Sequence, residues 1–206
     1  ALGVGYGDEV ILPSQTISVI AGAVSLLGAT VVAIDVDRNT WTMDPNEFEK
    51  AITNKTKVVM PTPIFGGVSC DMYKILEIAD ENCVFVIEDF AEAIVSRIVT
   101  RSCVRNSHKM LGSFPDMGCC SMFANKTITT GEGGMITTDS DELDEKLRYS
   151  RNCCYGKDPI DKFWAYDLPF NWRPCLPKGT KILIEKLRRN VTSYGDFGYC
   201  NYISSK

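Results

Sequence analysis

The stretch from Ile17 to Ile34, "ISVIAGAVSLLGATVVAI", carries no charge for eighteen residues. Two readings compete for it. An uncharged apolar run of this length is long enough to cross a bilayer. The same run can also be a helix and a strand joined by a break. Gly28 supplies the break, and the β-branched "TVVAI" that follows has strand character. The second reading predicts a buried helix over Thr16–Leu27 and a buried strand over Thr30–Asp35. With Glu9–Pro13 as a preceding strand, the order becomes β-α-β.

Working outward from this unit, the alternation continues. Further strands are predicted at Lys57–Pro61, Val84–Glu88, Met117–Phe123 and Gly133–Thr137. Several are continuous apolar runs without polar alternation, as expected for strands covered on both faces. Helices are predicted at Pro45–Ile52, Met72–Glu81 and Ser140–Arg151. Asp44 precedes Pro45 as an N-cap, and Asp139 or Ser140 opens the last of these helices. The fold class is therefore α/β, with a mainly parallel sheet between helical layers. Beyond residue 151 the pattern weakens. "FWAYDLPFNWRPCLPKG" reads as an irregular loop, "TKILIEKLRR" as a short helix, and the final segment shows no strong period.

Composition narrows the function. The 206 residues are 45 % hydrophobic and 23 % charged, with a formal net charge of −4. That suits a globular domain and gives no basic, aromatic-interleaved patch for nucleic acid. Nine cysteines and one histidine, His108, offer no zinc spacing. An odd count of scattered thiols in apolar runs fits free cysteines in a reducing compartment, the cytoplasm.

In a parallel sheet, ligands sit past the carboxyl ends of the strands. Two clusters fall there. In "VFVIEDFAEA", Glu88 and Asp89 end an apolar run and Glu92 follows. These carboxylates could bind a ligand, or Asp89 could cap a helix. In "SMFANKTITTGEGGM", Ser121 lies in a strand, and Lys126 stands before a glycine-rich turn. Such a lysine can form a Schiff base with a carbonyl, bind phosphate, or simply carry a solvated charge.

The order of "GDEVILPSQT", "LLGATVVAIDVD", "AITNKTKVVMPTPIFG", "VFVIEDFAEA" and "ANKTITTGEGGMITT" resembles the DegT/DnrJ/EryC1/StrS sugar aminotransferases. These are enzymes of fold type I that use pyridoxal 5'-phosphate. Within the family, the motifs are most similar to those of perosamine synthases, which aminate GDP-4-keto-6-deoxymannose with glutamate as donor. The resemblance implies a three-layer α/β/α sandwich, the large cofactor-binding domain, over residues 1–155. Residues 156–206 would be an irregular loop and the start of the C-terminal region. It also implies a chain truncated at both ends, because the family's S-G-T phosphate segment falls before residue 1.

Residue by residue, the resemblance makes Lys126 the amine that bonds to the cofactor aldehyde and Asp89 the carboxylate facing the pyridine nitrogen. Glu92 falls at the position that contacts the ring 3-hydroxyl, and Ser121 at a phosphate donor. Asn171, in "PFNWR", matches an asparagine that reaches the neighbouring subunit's phosphate, which implies a homodimer with shared sites. No metal is implied. Ile17 stands where relatives carry a stacking aromatic, Pro115 replaces a glycine, and Ala165 replaces a histidine. Those departures keep a second reading open, a non-catalytic member acting as an interaction module. A dehydratase of the same family would carry histidine in place of Lys126.

Overall fold

The computed structural model describes residues 1–66, 71–99, 108–113 and 115–155, together with the backbone of 197–198 and 202–204. Its centre is an eight-stranded mixed sheet of order β2-β1-β3-β4-β7-β8-β10-β9. The strands are β1 Glu9–Pro13, β2 Thr30–Ile34, β3 Thr56–Val59, β4 Phe85–Asp89, β7 Met117–Ser121, β8 Gly134–Thr138, β9 Phe197–Gly198 and β10 Tyr202–Ser204. The pairs from β2 through β7 are parallel, and β8 runs antiparallel to β7. β5 Arg97–Val99 and β6 His108–Met110 form a separate antiparallel pair.

Helices lie on both faces. α1 Ser18–Leu26 covers one face through Val24, which packs with Val10, Leu12 and Val58. α2 Pro45–Ala51 and α3 Met72–Glu81 cover the other, where Phe48, Met72, Ile75 and Ile78 pack on Ile11, Val59 and Val86. α4 Asp141–Arg151 follows β8. The helix starts follow local capping chemistry. Asp44 accepts the Asn46 N–H with Pro45 at the first turn, and the Ser140 hydroxyl accepts the Leu143 N–H. The α/β fold, with a mainly parallel mixed sheet between helical layers, is thus as the sequence indicates.

The uncharged stretch splits at Gly28, where φ is +77°. Among the described residues no helix is long and apolar enough to cross a membrane. The expected burial of its two halves is corrected, however. β2 lies at one edge of the sheet, and α1 buries only Val24, leaving Val19 and Leu26 exposed. One neighbour on one side cannot cover an apolar helix all round. The predicted helix within "TKILIEKLRR" lies outside the described residues. Two short strands, β9 and β10, occupy the segment that shows no period, β10 pairing parallel with β8.

Candidate active site

Strand alternation sorts the two acids that end β4. Val86 belongs to the core under α2 and α3, so Glu88 points to that face and Asp89 to the α1 face. Asp89 is opposite Cys119 on β7, and Ser121 follows two residues on, so all three share the α1 face. The glycine-rich turn returns the chain antiparallel, pairing Ser121 with Gly134. Within this loop the Lys126 N–H donates to the Phe123 carbonyl at 3.0 Å. Thr129 Oγ1 donates to the Met122 carbonyl at 3.1 Å and accepts the Gly131 N–H at 2.9 Å. These bonds fix the loop and leave the lysine side chain to face the site.

Lys126 Nζ donates to Glu92 Oε1 at 3.2 Å, with the lysine side chain only 15 % exposed and that of Glu92 39 %. The other oxygen of Glu92 accepts the Phe65 N–H at 3.1 Å. The Phe65 N–H and the Lys126 ammonium hold the Glu92 carboxyl below its usual range. Phe65 has φ 54° and is 80 % exposed, and Gly66 beside it has φ +71°. The Ser96 hydroxyl donates to the Gly66 carbonyl at 2.8 Å, so the turn after β3 is tied to the segment after β4 at two points.

Asp89 sits deeper. Burial pushes its carboxyl up, while the Ala91 N–H, at 3.0 Å, and the Lys126 ammonium pull it back. It caps a turn and not a helix, since the residues that follow it are non-helical. A desolvated carboxylate of this kind favours a cationic N–H partner. Ser121 Oγ accepts the Phe123 N–H at 3.2 Å, which leaves its own proton free to donate. Burial pushes the thiols of Cys119 and Cys120 up to about 12, with the Asp89 carboxylate adding to it. Neither is a nucleophile at neutral pH.

The structure thus brings Lys126, Glu92, Asp89 and Ser121 to one edge of the sheet. Asn171 and Ala165 lie outside the described residues. Ile17, at the position of the stacking aromatic, is 60 % exposed at the start of α1. The Phe65 amide was not among the expected site residues, because a backbone donor leaves no trace in a sequence.

Glu88, the other acid of the pair, is wholly buried on the opposite face. Its Oε2 accepts the Gly112 N–H at 2.6 Å, and its Oε1 has no partner among the described residues. Burial pushes its carboxyl from 4.5 up to about 7, against the Gly112 N–H and with the Asp89 charge adding to the rise. The folded protein therefore keeps this proton at pH values where the unfolded chain has lost it. The resulting stabilisation is full below the unfolded value and is lost as pH rises through the folded one. Between acid and about pH 8, wild type is expected to lose on the order of 3 kcal/mol relative to Glu88→Gln. Urea unfolding of both proteins at the two pH values measures it, and parallel pH profiles would refute it.

Comparison with known proteins identifies relatives of the chain. A sequence profile of the DegT/DnrJ/EryC1/StrS aminotransferase family matches residues 1–174. The GDP-perosamine synthase of Caulobacter vibrioides is 43 % identical over 173 residues, 84 % of this chain and 44 % of the relative. That of Escherichia coli O157:H7 is 38 % identical over the same span and shares. The chain spans less than half the length of these relatives. Among solved structures, an aminotransferase from Psychrobacter cryohalolentis superposes with a TM-score of 0.78 at 28 % identity, covering 94 % of this chain and 48 % of that one. The sequence match and the fold agree: the chain belongs to the DegT/DnrJ/EryC1/StrS aminotransferase family.

Proposed function

We propose that the site binds pyridoxal 5'-phosphate and transfers the amino group of glutamate to a nucleotide-linked 4-keto-6-deoxy sugar. The observation that carries this reading is the largely shielded Lys126 amine, aimed by Glu92 at an edge where the half-buried Asp89 lies. The residues fit the cofactor. Lys126 offers an amine for its aldehyde, Asp89 an anion for its ring nitrogen, and Ser121 a free hydroxyl proton for its phosphate. Two further hydroxyls at this edge, Thr16 Oγ1 and Thr62 Oγ1, are buried and have no partner among the described residues. Buried hydroxyls without partners suit a polar ligand.

When bound, pyridoxal phosphate supplies an aldehyde to carry the amino group and a ring to take up electrons. The chain's residues do the rest. Lys126 holds the cofactor and moves the proton at the carbon under reaction. Asp89 keeps the ring nitrogen protonated. Ser121 orients the phosphate, and Asn171 of a second copy is proposed to complete that contact, in a homodimer acting in the cytoplasm. Residues 1–155 form the cofactor-binding domain in this reading.

The GDP-linked substrate rests on the similarity to the two perosamine synthases. The test is to incubate the protein with cofactor, glutamate and GDP-4-keto-6-deoxymannose and to follow 2-oxoglutarate and the aminated sugar together. Equimolar formation of both is expected. Release of neither, with UDP- and dTDP-linked keto sugars also inert, would sink the reading.

A further inference from the structure

We propose that Thr62 donates a hydrogen bond to the 3-oxygen of the pyridine ring, an inference that rests on the site being a pyridoxal phosphate site. Thr62 is 8 % exposed, and its Oγ1 has no partner among the described residues. Its place follows from the register. Val58 and Met60 pack in the cluster under α1, so alternation puts Thr62 on that face too. The ladder continues past β3, since the Met60 N–H donates to the Ile11 carbonyl and the Asp89 N–H to the Pro61 carbonyl. Thr62 is therefore lateral to Asp89, one strand over, on the same face.

The chemistry of the ring then chooses the ligand. Asp89 takes the ring nitrogen and Lys126 the aldehyde at the opposite end. The two flanks between them differ, one carrying the phosphate arm and the other the 3-oxygen. Ser121 lies on β7, and β3 lies on the other side of β4. A phosphate held at Ser121 turns the 3-oxygen toward the end of β3, where Thr62 stands. That oxygen is anionic when the ring nitrogen and the amine share the remaining protons, so it requires donors. Glu92 cannot supply one, because the Phe65 N–H and Lys126 hold its carboxyl ionised, and a carboxylate only accepts. Thr62 is a buried donor with no partner among the described residues.

The experiment titrates the visible absorption band of the cofactor bound to purified protein. A donor to the oxyanion favours the form in which the lysine linkage has lost its proton. Its removal in Thr62→Val raises the titration midpoint by on the order of one pH unit. Thr62→Ser keeps the wild-type midpoint. Cofactor-free Thr62→Val melts no lower than wild type, because a hydroxyl with no partner among the described residues has been exchanged for a methyl. A midpoint unmoved in both Thr62→Val and Thr62→Ala, with the band present, overturns the assignment. So does a shift seen in Thr16→Val and not in Thr62→Val, or a cofactor-free Thr62→Val that melts lower. A wild-type protein with no band at saturating cofactor overturns the cofactor reading itself and is thereby distinguished from failure of Thr62 alone.

Discussion

Lys126→Ala is expected to lower amino transfer by more than about ten-thousand-fold and to erase the cofactor's visible band. The size follows from the number of roles that fall on one nitrogen. In the proposed mechanism it would capture the aldehyde, yield it to the incoming amine, and carry the proton between the two carbons that exchange it. No other lysine can substitute among the described residues that line this edge, since Asp89, Glu92, Ser121, Thr62 and Phe65 bear no amine. The fold is expected to survive, because among the described residues the side chain bonds only to a partly exposed carboxylate and such pairs contribute little to stability. Borohydride reduction of the wild type should fix the cofactor on the peptide containing Lys126. Label on another peptide, or a band that persists in the alanine variant, would remove the lysine from its role.

Gly118→Ala is expected to destabilise the protein by about 3 kcal/mol or more and to lower its melting temperature by roughly 10 °C. Gly118 sits in β7 between Glu88 on one side and Thr137 on the other. A Cβ there would lie 2.4 Å from Thr137 Oγ1 and 2.8 Å from both Cα and the carbonyl oxygen of Gly112. Two of the three are backbone atoms and cannot swing away. Thr137 Oγ1 itself donates to that same Gly112 carbonyl, and the Gly112 N–H is the partner of Glu88. The methyl would therefore separate a buried polar knot and not merely crowd a side chain. Gly22→Ala, in α1 with open space around its Cβ, is the control and should be neutral or stabilising. Thermal melts of the two variants decide the matter, and equal melting temperatures would refute the packing argument.

The order of elements was legible because the forces that set it are local. β1 and α3 fall where apolar period and capping residues put them, and the remaining boundaries move by one or two residues at frayed ends. Asp89 and Lys126 were singled out by motifs at or past strand ends, and the structure brings both to one edge of the sheet. Glu88 and Asp89 could not be told apart in function by neighbourhood alone. Only the pleat, seen with its packed faces, sends one to the α1 face beside Lys126 and the other into the interior. Thr62 gave no signal because a threonine after an apolar run is ordinary until its hydroxyl is found without a partner among the described residues. β10 pairs with a strand more than sixty residues earlier, and no short window of sequence encodes such a pairing. The same holds for the clamp of Glu92 on the Phe65 amide, which joins two turns 27 residues apart.

The reversal of direction between β7 and β8 has a consequence for how the site is assembled in time. The lysine loop closes on its own hairpin, joining Ser121 to Gly134, a short-range event that forms fast. Glu92, 34 residues before Lys126, arrives only when β4 docks in parallel beside β7. Parallel docking over that separation has to close a longer loop before any contact rewards it. The amine thus exists before its carboxylates do. During refolding, the moment at which the protein first captures an aldehyde would mark the joining of β4 to β7, giving the central step of the sheet an optical clock.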